Sequence, residues 1–198
     1  VVGDNESEKS ARADFVNSFK SGTMLEHTLD DDVLLNHFLV GDGSELHFMT
    51  NTGMSRIISN NDHLTLFMNA FADVAFNYYQ EHGNLEGFDG VREVQNRRPG
   101  YMDGNLFSWT VMGGYQKMTV RITSASDVQV TMLVTIGDIF GAGAHDANSS
   151  LPGLSDLYNL QHNYSAPGKY TPFPWEVDVN NVYYPPAVRQ KWPAYRTH

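Results

Sequence analysis

The chain has no cysteine, which excludes a disulfide scaffold, a thiolate metal site and thiol catalysis. It is also poor in charge: Asp, Glu, Lys and Arg make up 18% of it, against about 25% in an average soluble domain. Asn, Gly, Ser and Thr fill that gap. Basic residues are scarcer than acidic ones, 13 against 23, for a formal net charge of -10. Such a surface repels polyphosphate, so a sequence-independent grip on DNA or RNA is disfavoured. No apolar run approaches the roughly 18 residues of a membrane span. The opening residues, Val1 to Glu6, lack the basic and apolar regions of a signal peptide. They also lack an initiator Met, which is read as a domain cut from a longer polypeptide.

What remains is enough to fold. With 198 residues, 41% hydrophobic and 12% aromatic, the chain can bury a core without staples. One domain over residues 1–198 is expected, with a helical half over 1–100 and a β half over 101–198.

Before residue 100 the apolar spacing is helical. Ala11, Phe15, Val16 and Phe19 recur at three- and four-residue steps between Glu6 and Lys20, with Gly22 as a stop. Acids at 30–32 then precede Val33, Leu34, Leu35, Phe38 and Leu39, and Gly41 ends that segment. From Asn60 to His82, the residues Leu64, Phe67, Met68, Phe71, Ala75, Tyr78 and Tyr79 share one face. Asn60 or Asn61 is the expected cap and Gly83 the stop. Residues 84–104 read as a connector carrying Arg92, Arg97 and Arg98.

After the connector the period changes to two. Leu106 to Met112, Gly113-Gly114 and Tyr115 to Thr123 form a hairpin signal. Val128, Val130, Met132, Val134 and Ile136 alternate with Gln129, Thr131, Leu133 and Thr135 as a third strand. Three such strands imply an antiparallel meander with one face on a core, and the helices are its natural cover. The expected class is therefore α+β. Beyond Leu151 lie seven of the eight prolines. A short helix near Leu154 to Gln161, a last strand near Trp175 to Val182 and a Pro-rich surface wrap complete the reading.

The densest chemistry lies from Ile136 to Asp146, in the run Ile-Gly-Asp-Ile-Phe-Gly-Ala-Gly-Ala-His-Asp. An acid ends a buried strand, a small-residue loop follows, then an adjacent His145 and Asp146. Asp138 and Asp146 could hold a divalent cation, or Asp138, His145 and Asp146 could divide the roles of base and orienting group. The plainer alternative is a tight turn in which an Asp only caps the next helix. A second cluster holds Asp156, Tyr158 and His162. On a helix, Tyr158 and His162 share a face and could donate to an oxyanion, while Asp156 points elsewhere; packing leucines with a surface His162 are the alternative.

Other signals are weaker. His37, His63 and His82 fall within helices, and His47 follows the polar loop Gly41-Asp42-Gly43-Ser44. That loop resembles a calcium site in composition only, without the regular ligand spacing. No HExxH, CxxC, Walker or G-x-S-x-G pattern occurs.

The helical first half, the meander, Asp138-x-Phe140-Gly141 and a later Leu160-Gln161-His162 together resemble the activity domain of the colicin M-like bacteriocins and related bacterial toxin-associated domains. The resemblance is confined to about residues 105–165. That family cleaves the lipid-linked peptidoglycan precursor between undecaprenyl and pyrophosphate, with a divalent cation. The resemblance implies that Asp138 takes the first acid position and Phe140 the aromatic one. Gly141 stands where the second acid is expected, and no Arg follows His145 or His162.

Three functional classes follow as expectations. The first is an antibacterial toxin domain, secreted or delivered to the periplasm of a target cell. It would hydrolyse a phosphate ester or anhydride of the envelope, aided by Mg2+ or Ca2+, and an immunity protein is a conceivable partner. There Asp138 and Asp146 hold the metal, Asp138 activates water, His145 or His162 moves the proton, and Tyr158 assists. The second is a nuclease toxin using the arginine cluster. The third is a non-enzymatic carbohydrate- or protein-binding module presenting Trp109, Trp175, Trp192, Tyr183, Tyr184 and Tyr195.

Overall fold

The computed structural model describes residues 6–22, 29–59, 62–97, 115–150, 153–164 and 169–191. It is an α+β fold in which helices cover one face of a mixed five-stranded sheet. In chain order the elements are α1 (Glu6–Gly22), α2 (Leu29–Val40), β1 (Leu46–Phe48), α3 (Gly53–Ser59), α4 (Asp62–His82), β2 (Val91–Arg97), β3 (Tyr115–Ala125) and β4 (Val130–Phe140). A 3-10 turn (Ala144–Asn148), α5 (Leu154–Asn163), β5 (Phe173–Tyr183) and α6 (Pro186–Lys191) follow. The strand order is β1-β5-β4-β3-β2.

Helices α1, α2 and α4 form where the periodicity placed them, whereas α3 and α6 carry no such signal. Ala11, Phe15 and Phe19 of α1 are buried, as are Leu34, Leu35, Phe38 and Leu39 of α2 and Met68, Phe71, Ala72 and Ala75 of α4. Helix α2 stops at Gly41, whose N–H returns to the His37 carbonyl at 2.7 Å. A Cβ at Gly41 would lie 2.2 Å from that oxygen, so only glycine fits this turn.

Strand β4 alternates as expected: Val130, Met132, Val134, Ile136 and Phe140 are buried, with partly exposed residues between them. It runs antiparallel to β3 and to β5, its whole length in register with β5 from Val130–Tyr183 to Phe140–Phe173. At the Phe140 end, Phe19, Phe38, Phe140, Phe173 and Tyr170 pack ring against ring, edge-on or tilted except for the stacked Phe140–Phe173 pair, at centroid separations from 5.4 to 6.0 Å. Such aromatic pairs each add about 0.5–1.5 kcal/mol beyond their buried area. This cluster fixes α1 and α2 over the end of β4.

The sheet departs from a simple meander in two ways. The connector over 84–104 contains β2, antiparallel to β3; its apolar residues Val91 and Val94 are three apart, so no alternation marks it. Strand β1 pairs in parallel with β5, which makes the sheet mixed. The division into a helical half and a β half is accordingly not clean: β1 and β2 come from the first hundred residues, and α5 and α6 from the last. The last strand, expected near Trp175 to Val182, is β5, which lies inside the sheet between β1 and β4; of the Pro-rich tail after Tyr184, residues 186–191 form α6, and residues 192–198 lie outside the described residues. Residues 106–114, expected to form the first hairpin strand and its glycine turn, lie outside the described residues, as do Asn60, Asn61, Arg98, Trp109, Trp192 and Tyr195.

Candidate functional site

Asp138 occupies a position where a strand of this pattern would place an apolar residue. Along β4 it falls between Ile136 and Phe140, both buried, so the alternation turns it toward the helix-covered face. It is only half-buried there because the chain leaves the sheet two residues later. A cavity of about 280 Å³ opens beside it, lined by Gln116, Asp138, Ile139, the 141–143 backbone, Gln161 and Pro172. Burial pushes the Asp138 carboxyl up to about 7, opposed in part by a hydrogen bond from the Ile139 N–H. No cation among the described lining residues counters that shift.

The loop that walls the cavity is held by α5. Gln161 accepts the Ala142 N–H at 2.7 Å and donates back to the Ala142 carbonyl at 3.4 Å. Gly141 presses against Pro172, where a Cβ would meet the ring at 3.0 Å. Helix α5 itself is anchored by buried Leu157 and Leu160, at the spacing that the sequence displayed.

The other expected site residues serve the loop and the helix. Asp146 accepts the Gly143 N–H at 2.8 Å through one oxygen, while its own N–H donates to the Gly143 carbonyl at 2.9 Å. Its second oxygen lies 3.2 Å from His145 Nε2. The His145 side chain is 77% exposed and does not line the cavity. The turn-closing alternative thus describes Asp146. On α5, His162 Nδ1 lies 2.9 Å from the Tyr158 carbonyl, and its ring stacks on Tyr158 at 3.8 Å. Tyr158 packs against the core, and Asp156 lies in the first turn of α5, where an acid favours the helix dipole. None of Asp146, His145, Tyr158 and His162 lines the cavity with Asp138.

Of the two acids expected to hold Mg2+ or Ca2+, Asp138 lines the cavity, and Asp146 bonds the backbone of Gly143 at its wall. Among the described residues no group of three or more His, Cys, Asp or Glu side chains is placed to hold a metal ion. Among the described lining side chains, the oxygen donors beside Asp138 are the neutral amides of Gln116 and Gln161.

The face of the sheet opposite the described helices carries a network that the sequence did not disclose. Asp178 of β5 accepts the Thr135 hydroxyl at 2.6 Å through one oxygen, and its other oxygen lies 3.1 Å from His47 Nε2. The Asp178 side chain is 14% exposed and that of His47 46%. The alternation in β5 could have placed Asp178 opposite Val177 and Val179. Its neighbours could not be read, because β1 and β4 are distant in sequence.

Groups invoked for the other two classes are placed differently. Arg92 is paired with Asp89 at 2.7 Å and lies 4.8 Å over the Phe71 ring, so its charge is committed at the β2 edge. Trp175 and Tyr183 are buried and cannot serve as stacking platforms. Among the described residues no helix is long and apolar enough to cross a membrane. No family model matches the chain, and no curated protein or solved structure matches it either.

Proposed function

We propose that this chain is a hydrolase whose reacting centre is the cavity at the end of β4, with Asp138 as the general base that activates water. One observation carries the reading: a carboxyl on the core side of a strand, beside an open cavity, with its pKa raised to about 7. A base is most effective when its pKa lies near the working pH, and such a group contributes about 10²–10⁴ in rate. The Gln116 and Gln161 amides and the small-residue backbone at 141–143 leave room for a polar substrate to approach that oxygen.

The substrate we propose is a phosphate ester or anhydride of the bacterial envelope, of the lipid-linked peptidoglycan precursor type. The chain would act as an antibacterial toxin domain in the periplasm of a target cell, with an immunity protein as its natural antagonist. This part of the proposal is supported by the resemblance of Asp138-x-Phe140 and its surroundings to colicin M-like domains. The proton transfer assigned to Asp138 includes no metal-bound step. Mg2+ or Ca2+ belongs in the assay, since a divalent cation can bridge an anionic protein to an anionic substrate.

The test is expression of the chain in bacteria, directed to the cytoplasm or to the periplasm, beside Asp138→Asn. The expected result is lysis from the periplasm only, abolished by Asp138→Asn. Killing from the cytoplasm alone would overturn the envelope target, and toxicity unchanged in Asp138→Asn would overturn the assignment of the base.

A further inference from the structure

Strand β3 brings a second polar side chain beside Asp138. The β3–β4 ladder runs to the pair Lys117–Gly137, and one more step in that register sets Gln116 opposite Asp138. On β3 the even positions Met118 and Val120 are buried on the helix-covered face, and Gln116 belongs to the same set. Gln116 and Asp138 accordingly line one cavity of about 280 Å³. On the other side of Asp138 the row is closed by Trp175, its β5 register partner, which is wholly buried and does not line the cavity. The carboxyl is thus open toward Gln116 and shut toward β5.

Other polar groups of the lining are engaged. Gln161 binds Ala142 through both ends of its amide, at 2.7 and 3.4 Å. The Gly143 N–H is given to Asp146. Asp138 accepts one bond, from the Ile139 N–H, and keeps its remaining lone pairs. Gln116 is exposed, and among the described residues its amide makes no hydrogen bond, with Asp138 or with any other group. Of the two amides in the cavity, Gln116 is therefore the one whose carbonyl oxygen is uncommitted.

The spacing of the two side chains suits a shared water. Directly opposed residues of antiparallel strands have Cβ atoms about 4.5–5.5 Å apart. A water that bonds two groups at about 2.8 Å each spans up to roughly 5.6 Å between them. One water can therefore reach both the Asp138 carboxylate and the Gln116 carbonyl oxygen. An ordered water needs room and at least two polar partners, and the cavity supplies both. Both partners stand on neighbouring strands of one sheet, which fixes their separation better than a loop would.

We infer that Gln116 positions the attacking water of the proposed hydrolysis, holding it against Asp138, an inference that rests on the reading of Asp138 as the base. One water hydrogen points to Gln116 Oε1 and the other passes as a proton to the Asp138 carboxylate, which leaves an oxygen lone pair facing the open cavity. That oxygen bonds to the phosphorus of the substrate while the bond from phosphorus to the leaving oxygen breaks, its electron pair going to that oxygen. The leaving oxygen takes a proton from solvent, and Asp138 returns its own to solvent. Gln116 neither gains nor loses a proton; it sets the direction of the water.

The test joins a crystal structure of the full chain near pH 8, where Asp138 is ionised, to the periplasmic lysis assay. An ordered water within about 3.2 Å of both the Asp138 carboxylate and Gln116 Oε1 is expected in the wild type. It should be lost from Gln116→Met, which keeps the length of the side chain without the acceptor. The same variant should slow lysis about tenfold to a hundredfold, since misplacing a reactant by about 1 Å can cost 10² in rate. No water bridging the two residues would overturn the inference. So would undiminished lysis by Gln116→Met while Asp138→Asn is inactive, an outcome that keeps the base and removes only its partner. Lysis unchanged in Asp138→Asn, or absent with the wild type, would instead overturn the hydrolase reading and this inference with it.

Discussion

Asp138 and Trp175 are direct register partners in the antiparallel β4–β5 pair, so a carboxyl and an indole share one row on the helix-covered face. Trp175 is wholly buried, and among the described residues its Nε1 has no hydrogen-bond partner. The row ends in the open cavity on the Asp138 side. A core-facing row with an acid at its rim puts a raised carboxyl at the edge of the apolar interior.

That placement makes stability depend on pH. The Asp138 carboxyl rises from 3.8 to about 7 on folding, so the folded chain binds a proton more tightly than the unfolded one. Stability is therefore undiminished below about pH 4 and falls as pH rises through about 7, where the buried group must ionise. Allowing for solvent screening, the cost above pH 8 is on the order of 2 kcal/mol. Asp138→Asn should raise the melting temperature at pH 8.5 and leave it nearly unchanged at pH 4. Calorimetry at both values checks this, and an equal effect at the two would refute the raised carboxyl.

The same carboxyl sets the expected pH dependence of activity. If ionised Asp138 is the base, kcat/KM should climb with pH through about 7. A profile that falls through that range would reverse the role of Asp138 to proton donor.

Gln161 should control the loop rather than the chemistry. Gln161→Leu leaves the Ala142 N–H without its 2.7 Å acceptor and should cost about 1–3 kcal/mol. Amide exchange should accelerate at 141–143 before it does in β4, which hydrogen-exchange mass spectrometry can resolve.

His162 is a useful contrast. It is exposed and bonds within its own helix, so His162→Ala should change stability by less than about 0.5 kcal/mol. Under the proposed assignment it should also leave turnover intact. A large loss of turnover in a folded His162→Ala protein would return the proton-moving role to α5.

On the sheet face opposite the described helices, Thr135→Val removes a 2.6 Å bond to a mostly buried carboxylate and should cost about 1–3 kcal/mol. His47→Ala, at a half-exposed end of the same network, should cost less. Urea denaturation of the two single variants and the double variant would measure their coupling through Asp178.

Local pattern was sufficient for α1, α2, α4, α5 and the alternation of β4, because each buries a periodic apolar face that sequence spacing states directly. It also marked the small-residue loop after Asp138, since a strand of that pattern ending in glycines has to leave the sheet. Pairing was another matter. The insertion of β5 between β1 and β4, the parallel β1 and the weakly patterned β2 depend on which surfaces meet, and no local spacing encodes that. The candidate site divides along the same line. Asp138 was legible as an acid at a strand end, but Gln116, Gln161 and Pro172 reach its cavity from three other segments of the chain, and Asp146 closes its own turn. Residue types and periodicity are local properties, whereas burial, and with it the raised Asp138 carboxyl, exists only once distant segments have excluded water together.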